Sequence, residues 1–244
     1  MQKYENPGRR KIYAMILFGI TMGMFEAAVV IYLRELYYPG GFTFPLQLTS
    51  DSVAVTELLR EIASLFMIGT VAWLGGKNFT QRFAWFLIIF AVWDIFYYVF
   101  LKALIGWPES FMTWDILFLI PVHWTGPVIT PIIAAVLMIL LGAFMLRFSA
   151  IRGKAARINR REWWLLGSGA FAVFISFIMD YTIYLFENYG HFSQPDLMDT
   201  LNNLSINYVP AKFYWWIYIL GIVLIISSII MYARRNQKAL QKNS

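Results

Sequence analysis

Six stretches of about twenty apolar residues constrain this chain more than any other feature, because a helix of that length matches the roughly 30 Å hydrocarbon core of a bilayer. They lie at about 12–33, 53–75, 81–104, 126–148, 163–187 and 212–233. Hydrophobic residues are 59% of the 244 and charged ones 14%, far from the roughly 45–50% and 25% of soluble domains. Alternating two-residue periods are absent, which argues against an outer-membrane barrel. The expectation is an all-α polytopic helical bundle, with residues 1–244 forming one integral membrane domain in contact with lipid. The first run is too long for a cleaved signal peptide and is interrupted by Glu26, so it reads as a retained span.

Basic residues orient the bundle. Lys3, Arg9, Arg10 and Lys11 precede the first span, and Lys77 and Arg82 join the second to the third. Arg147, Arg152, Lys154, Arg157, Arg160 and Arg161 join the fourth to the fifth, and Arg234, Arg235, Lys238 and Lys242 follow the sixth. With six spans, these sixteen of the twenty Lys and Arg fall on one side, so both termini are expected in the cytoplasm. The net charge of +6 is thereby a topology signal and not a nucleic-acid footprint. Tyr and Trp at the span ends, as in Trp163-Trp164 and Tyr214-Trp215-Trp216, look like interface anchors.

Between the third and fourth spans, 114–122 is apolar but too short to cross. Pro108, Pro121 and Pro127 punctuate its surroundings, and a half-helix over about 110–121, re-entrant or interfacial, is expected. An ordinary structured loop is the alternative. The segment 188–210 reads as an outer loop.

Ionisable residues inside the spans are the candidates for function, since each central charge costs about 2.5–3.5 kcal/mol even on the most lenient scale. In the second span, Glu57, Arg60, Glu61 and Ser64 share a helical face about 100° wide, while Leu58, Leu59 and Ile62 point elsewhere. Glu26, Asp94 and Asp180 lie in the first, third and fifth spans, and counting at 1.5 Å per residue puts them and Glu61 roughly 10–15 Å below the outer surface. Gly19, Gly23 and Ala27 flank Glu26 in a small-residue stripe suited to close helix approach. Arg60 is the one deep permanent cation, and it balances one or two carboxylates. The excess must be protonated, hydrated or met by a bound cation.

An outward-facing acidic pocket follows, with Glu26, Glu61 and Asp94 as its core, Arg60 as counter-ion, and Glu57, Asp115 and His123 at its mouth. It would bind a cation, whether a divalent metal or protons, or a small polar ligand. For a metal, the ligands would be Glu61, Asp94, Glu26 and His123, but no Glu-x-x-His pair of the di-iron bundles is present. The plainer reading is that the same acids make interhelical hydrogen bonds worth about 0.6–2 kcal/mol each. Other readings are a proton- or cation-coupled transporter and a non-catalytic subunit of a larger membrane complex, respiratory complexes included. No motif chooses between these and an enzyme. Zero cysteines exclude Cys-ligated iron–sulfur clusters, and haem b is disfavoured because His123 and His191 both fall in connections. No phosphate loop, nucleophile elbow or zinc-protease motif occurs.

Four motifs stand out as a set. They are Glu57-x-x-Arg60-Glu61-x-Ala63-Ser64-Leu65, Trp93-Asp94-Ile95-x-Tyr97-Tyr98, Trp107-Pro108-x-Ser110, and Trp114-Asp115-x-Leu117-Phe118-Leu119-Ile120-Pro121. From the first span to about Pro131 the chain resembles a group of uncharacterised bacterial integral membrane proteins. The resemblance implies a bacterial inner-membrane setting and carries no activity.

Overall fold

A computed structural model describes residues 8–45, 47, 50–120, 122–192 and 197–242. It is an all-α bundle built on six long apolar helices: α1 (Arg9–Tyr37), α2 (Asp51–Gly75), α3 (Phe79–Ile105), α4 (Ile129–Arg152), α5 (Arg160–Phe192) and α7 (Trp215–Gln241). A short helix, α6 (Leu197–Asn207), and two short strands, β1 (Trp114–Phe118) and β2 (Trp124–Pro127), complete it. The predicted spans fall within these helices, except that α4 starts at Ile129 and not at 126, and α7 at Trp215 and not at 212.

Helix α3 is the hub, packed against α1, α2 and α4, while α7 links α4 to α5. The most apolar stretch of α3 is 56% buried, against 22–33% in the other five long helices. Close approach along α1 requires its glycines. A Cβ on Gly23 would come within 2.9 Å of the Trp93 carbonyl oxygen, so the small-residue stripe is where α1 meets α3. Gly169 and Gly221 do the same for α5 and α7, each facing the other's carbonyl. Around the periphery Leu17, Phe25, Phe66, Trp164, Phe171 and Val223 are exposed, as side chains facing lipid would be.

At one end of the bundle the chain turns by local capping. Asn159 and Glu162 form a reciprocal capping box at the start of α5, each backbone N–H donating to the other's side chain at 2.8 Å. The fully buried Glu162 carboxylate also accepts from Arg235 of α7 at 2.7 and 2.8 Å, and Arg152 reaches Asn236. Phe79 and Phe83 of α3 pack on Trp163. The basic connections 76–82 and 152–163 therefore gather at this end with the last turns of α7.

The other end differs from expectation in three places. The segment 114–127 is an antiparallel hairpin and not a half-helix, with Trp114 paired to Pro127, Asp115 to Gly126 and Ile116 to Thr125. Pro121, the expected end of the half-helix, lies outside the described residues. The physical reason is that a short apolar run has no decisive period, and here alternate residues face opposite ways: Asp115 points into the bundle interior while Trp114 packs on Phe213. The backbone groups beyond the ladder are met as well, since Val128 N–H donates to the Thr113 carbonyl and Ile129 N–H to that of Phe111. Second, α5 runs past the expected end of its span to Phe192. Third, α6 occupies much of what was expected as an outer loop. His191 is thus in the last turn of α5, and its side chain lies outside the described residues.

Candidate functional site

The hairpin end holds a cavity of about 480 Å³ between α1, α2, α3, strand β1 and the residues that follow it, Leu119 and His123. Each residue expected in the pocket lies on its wall: Glu26 from α1, Glu57, Arg60 and Glu61 from α2, Asp94 from α3, and Asp115 and His123 from the hairpin. Helical period explains the three helical parts of this wall. Glu26, Val30, Leu33 and Tyr37 follow one stripe of α1, and Trp93, Asp94, Tyr97 and Tyr98 one face of α3.

The charges are divided unequally. Arg60 donates through Nη1 to both oxygens of Glu26 at 2.5 Å, and through Nε and Nη2 to Glu57 at 2.9 and 2.7 Å. One guanidinium so compensates two carboxylates and ties α1 to α2. Asp115 is 2% exposed. It lies 3.5 Å from Nη2 of Arg34 and accepts from the Tyr98 hydroxyl at 3.1 Å. Burial pushes its carboxyl up to about 6, against the opposing pull of Arg34 and Tyr98. Arg34 itself lies over the rings of Trp107 and Phe42, at 3.8 and 4.6 Å from their centroids. Arg34, Tyr38 and Phe42 also form a wall of a second cavity, of about 410 Å³, beside the first.

Glu61 and Asp94 are left without a cation of their own. Glu61 accepts the Leu119 backbone N–H at 3.1 and 3.2 Å, which fastens the tip of the hairpin to α2. Asp94 is half-buried on the cavity wall, and no hydrogen bond to it is made among the described residues. Two donors on the same wall, Arg34 Nη1 and Trp93 Nε1, and one ring nitrogen, His123 Nδ1, are also unpartnered among those residues. His123 packs edge-on against Tyr181, 4.7 Å between ring centres, and burial pushes its imidazole down to about 4, so it is neutral at neutral pH.

Two expectations change. Asp180 does not join the other acids; it clasps the chain after α6, accepting from the Tyr208 hydroxyl at 2.8 Å and from the backbone N–H of Ala211 and Lys212 at 3.0 and 3.1 Å. Three donors at the end of α5 meet its charge locally. The proposed metal quartet of Glu61, Asp94, Glu26 and His123 does not converge either. Among the described residues no three carboxylate or imidazole groups gather closely enough to ligate one ion, and both oxygens of Glu26 are taken by Arg60.

Arg34 was missed from sequence because it sits at the end of its span, where a basic residue reads as an anchor. Its signal was angular: eight residues after Glu26, it falls about 80° away on the same side of α1. Compared with known proteins, the chain matches no family model, no curated protein and no solved structure.

Proposed function

We propose that this membrane protein binds a small polar ligand carrying positive charge in the cavity at the hairpin end of the bundle. That end faces outward if the basic end lies in the cytoplasm of a bacterial inner membrane. The observation that carries this reading is Asp94, a carboxylate deep in an apolar bundle that faces a cavity with no partner among the described residues. A purely structural acid would be used as Glu26, Glu57 and Asp180 are, with its oxygens taken by protein donors. An unmet carboxylate at such depth is costly unless something enters to meet it. The five acids on the wall face two arginines, so the cavity favours a cation over an anion.

The test is thermal unfolding of the protein in lipid nanodiscs, read against sodium, magnesium, calcium and a set of small organic amines. A saturable rise in midpoint with at least one of them, abolished in Asp94→Asn, supports the reading. No rise with any of them overturns it.

A further inference from the structure

We infer that the ligand of this cavity is a small organic ammonium ion that also carries an oxygen acceptor, an amino alcohol being the simplest example. The inference rests on the binding role proposed above and narrows it to a chemical class.

Four observations lead there. First, the cavity volume of about 480 Å³ suits a small molecule and is far larger than a dehydrated metal ion needs. No three ligating side chains converge within it among the described residues. Second, the carboxyl groups left over after pairing are those of Glu61 and Asp94, and the remaining wall is apolar, with the rings of Trp93, Tyr97, Tyr98, Tyr38 and Phe118 set among aliphatic side chains. Aromatic faces beside carboxylates are the environment in which ammonium groups are held, since ring faces attract cations that have been stripped of water. A small inorganic cation keeps more from its own hydration or from converging oxygens than from rings.

Third, at the boundary of this cavity with the second one, the protein already holds one organic cation in this way. The Arg34 guanidinium lies on the faces of Trp107 and Phe42 with Asp115 beside it. Fourth, two side chains on the wall are at least nine-tenths buried and keep an unused donor. Trp93 is 8% exposed with Nε1 unpartnered, and Arg34 is 9% exposed with Nη1 unpartnered. Buried donors left unmet cost about 1–3 kcal/mol each. A ligand offering only positive charge would leave them unmet, whereas one with a hydroxyl or carbonyl oxygen supplies an acceptor.

The ammonium could belong to a free molecule or to the headgroup of a phospholipid such as phosphatidylethanolamine, and the experiment separates the two. The protein is placed in nanodiscs of phosphatidylglycerol, and its unfolding midpoint is titrated with ethanolamine, choline, tetramethylammonium, magnesium chloride and 3,3-dimethylbutan-1-ol, the uncharged carbon isostere of choline. Ethanolamine or choline is expected to raise the midpoint saturably, and the isostere to leave it unchanged. Asp94→Asn should weaken the apparent affinity about tenfold or more. Trp93→Phe should weaken choline severalfold more than tetramethylammonium, because both meet the ring but only choline has the oxygen.

The comparison of choline with its isostere needs no variant, so it stands even where a substitution impairs folding. Equal effects of the two would overturn the inference. A response to magnesium through Asp94 with none to the amines would also overturn it, while leaving the cavity a cation site. No response to any probe would overturn both the inference and the reading beneath it. Discs containing phosphatidylethanolamine complete the test. If they raise the midpoint and make added ethanolamine ineffective, the ammonium is a lipid headgroup; if ethanolamine still acts in them, it is a free molecule. Either result supports the class.

Discussion

Asp94, Asp115 and Asp180 are one residue type with three fates, and what separates them is the donors each meets. Asp180 is satisfied by three, Asp115 by a tyrosine and a distant arginine, and Asp94 by none among the described residues. Replacing Asp180 with Ala removes the acceptor of the exposed Ala211 and Lys212 amides. It should cost about 0.5–1.5 kcal/mol for each hydrogen bond lost and speed hydrogen exchange at those two positions, without changing ligand response at the cavity. His123 predicts a pH dependence. Its folded value of about 4 lies below the ordinary 6.5, so the neutral form stabilises the fold above pH 6.5, and that stability is lost as pH falls from 6.5 towards 4. The loss should reach about 3 kcal/mol and shrink in His123→Gln, measured by unfolding across that range. Asp115 acts in the opposite sense. Its raised value means that it favours the fold most below pH 4, and this contribution fades as pH rises through about 6, so Asp115→Asn should steepen the acid loss.

At the scale of elements, the tetrapeptides Trp93-Asp94-Ile95-Phe96 and Trp114-Asp115-Ile116-Leu117 are nearly alike, yet one is a turn of α3 and the other a strand. Local preference does not separate them. Their flanks do: the first lies inside a long apolar run, while the second is followed by a chain that turns back and pairs with Trp124–Pro127. The tip of that hairpin is held by the Leu119 N–H on Glu61, a single link worth about 0.5–1.5 kcal/mol. Leu119→Pro should lower the unfolding midpoint by at least a corresponding amount, and by less in a Glu61→Ala background, which lacks the acceptor, so that a double-mutant cycle reads the coupling. Between α5 and α7 the constraint is steric. Gly169→Leu sets a side chain against the Gly221 carbonyl and Ile225, both 2.8 Å from its Cβ, and should cost about 1–3 kcal/mol in the same assay.

At the scale of the whole molecule, the bundle has two unlike ends. One carries the basic connections, locked by Glu162 with Arg235 and Arg152 with Asn236; the other carries the hairpin, α6 and both cavities described above. The orientation in the membrane expected from Lys and Arg is open to direct measurement, because the chain has no cysteine of its own. In intact cells, Glu109→Cys should react with an impermeant maleimide, and Lys154→Cys only after the membrane is opened. The reverse pattern would place the cavity on the cytoplasmic side and remove its outward access.

The six helices, the two unlike ends and the acids that gather on one cavity wall could all be read in the sequence, because each leaves a local trace. Twenty apolar residues have few ways to exist in water, a charge among them is expensive wherever it points, and a helical period shows which charges share a face. The allocation of partners could not be read that way. Glu26 and Glu57 share Arg60, Asp115 goes to Arg34, and Asp180 turns to the chain after α6. All of these except the Glu57 contact join residues 28 to 81 positions apart, and distances of that order are set only when helices pack. The hairpin was hidden for a related reason: a short apolar segment takes the conformation that satisfies its backbone, and here the groups that satisfy it lie on a second strand and on Glu61 of α2.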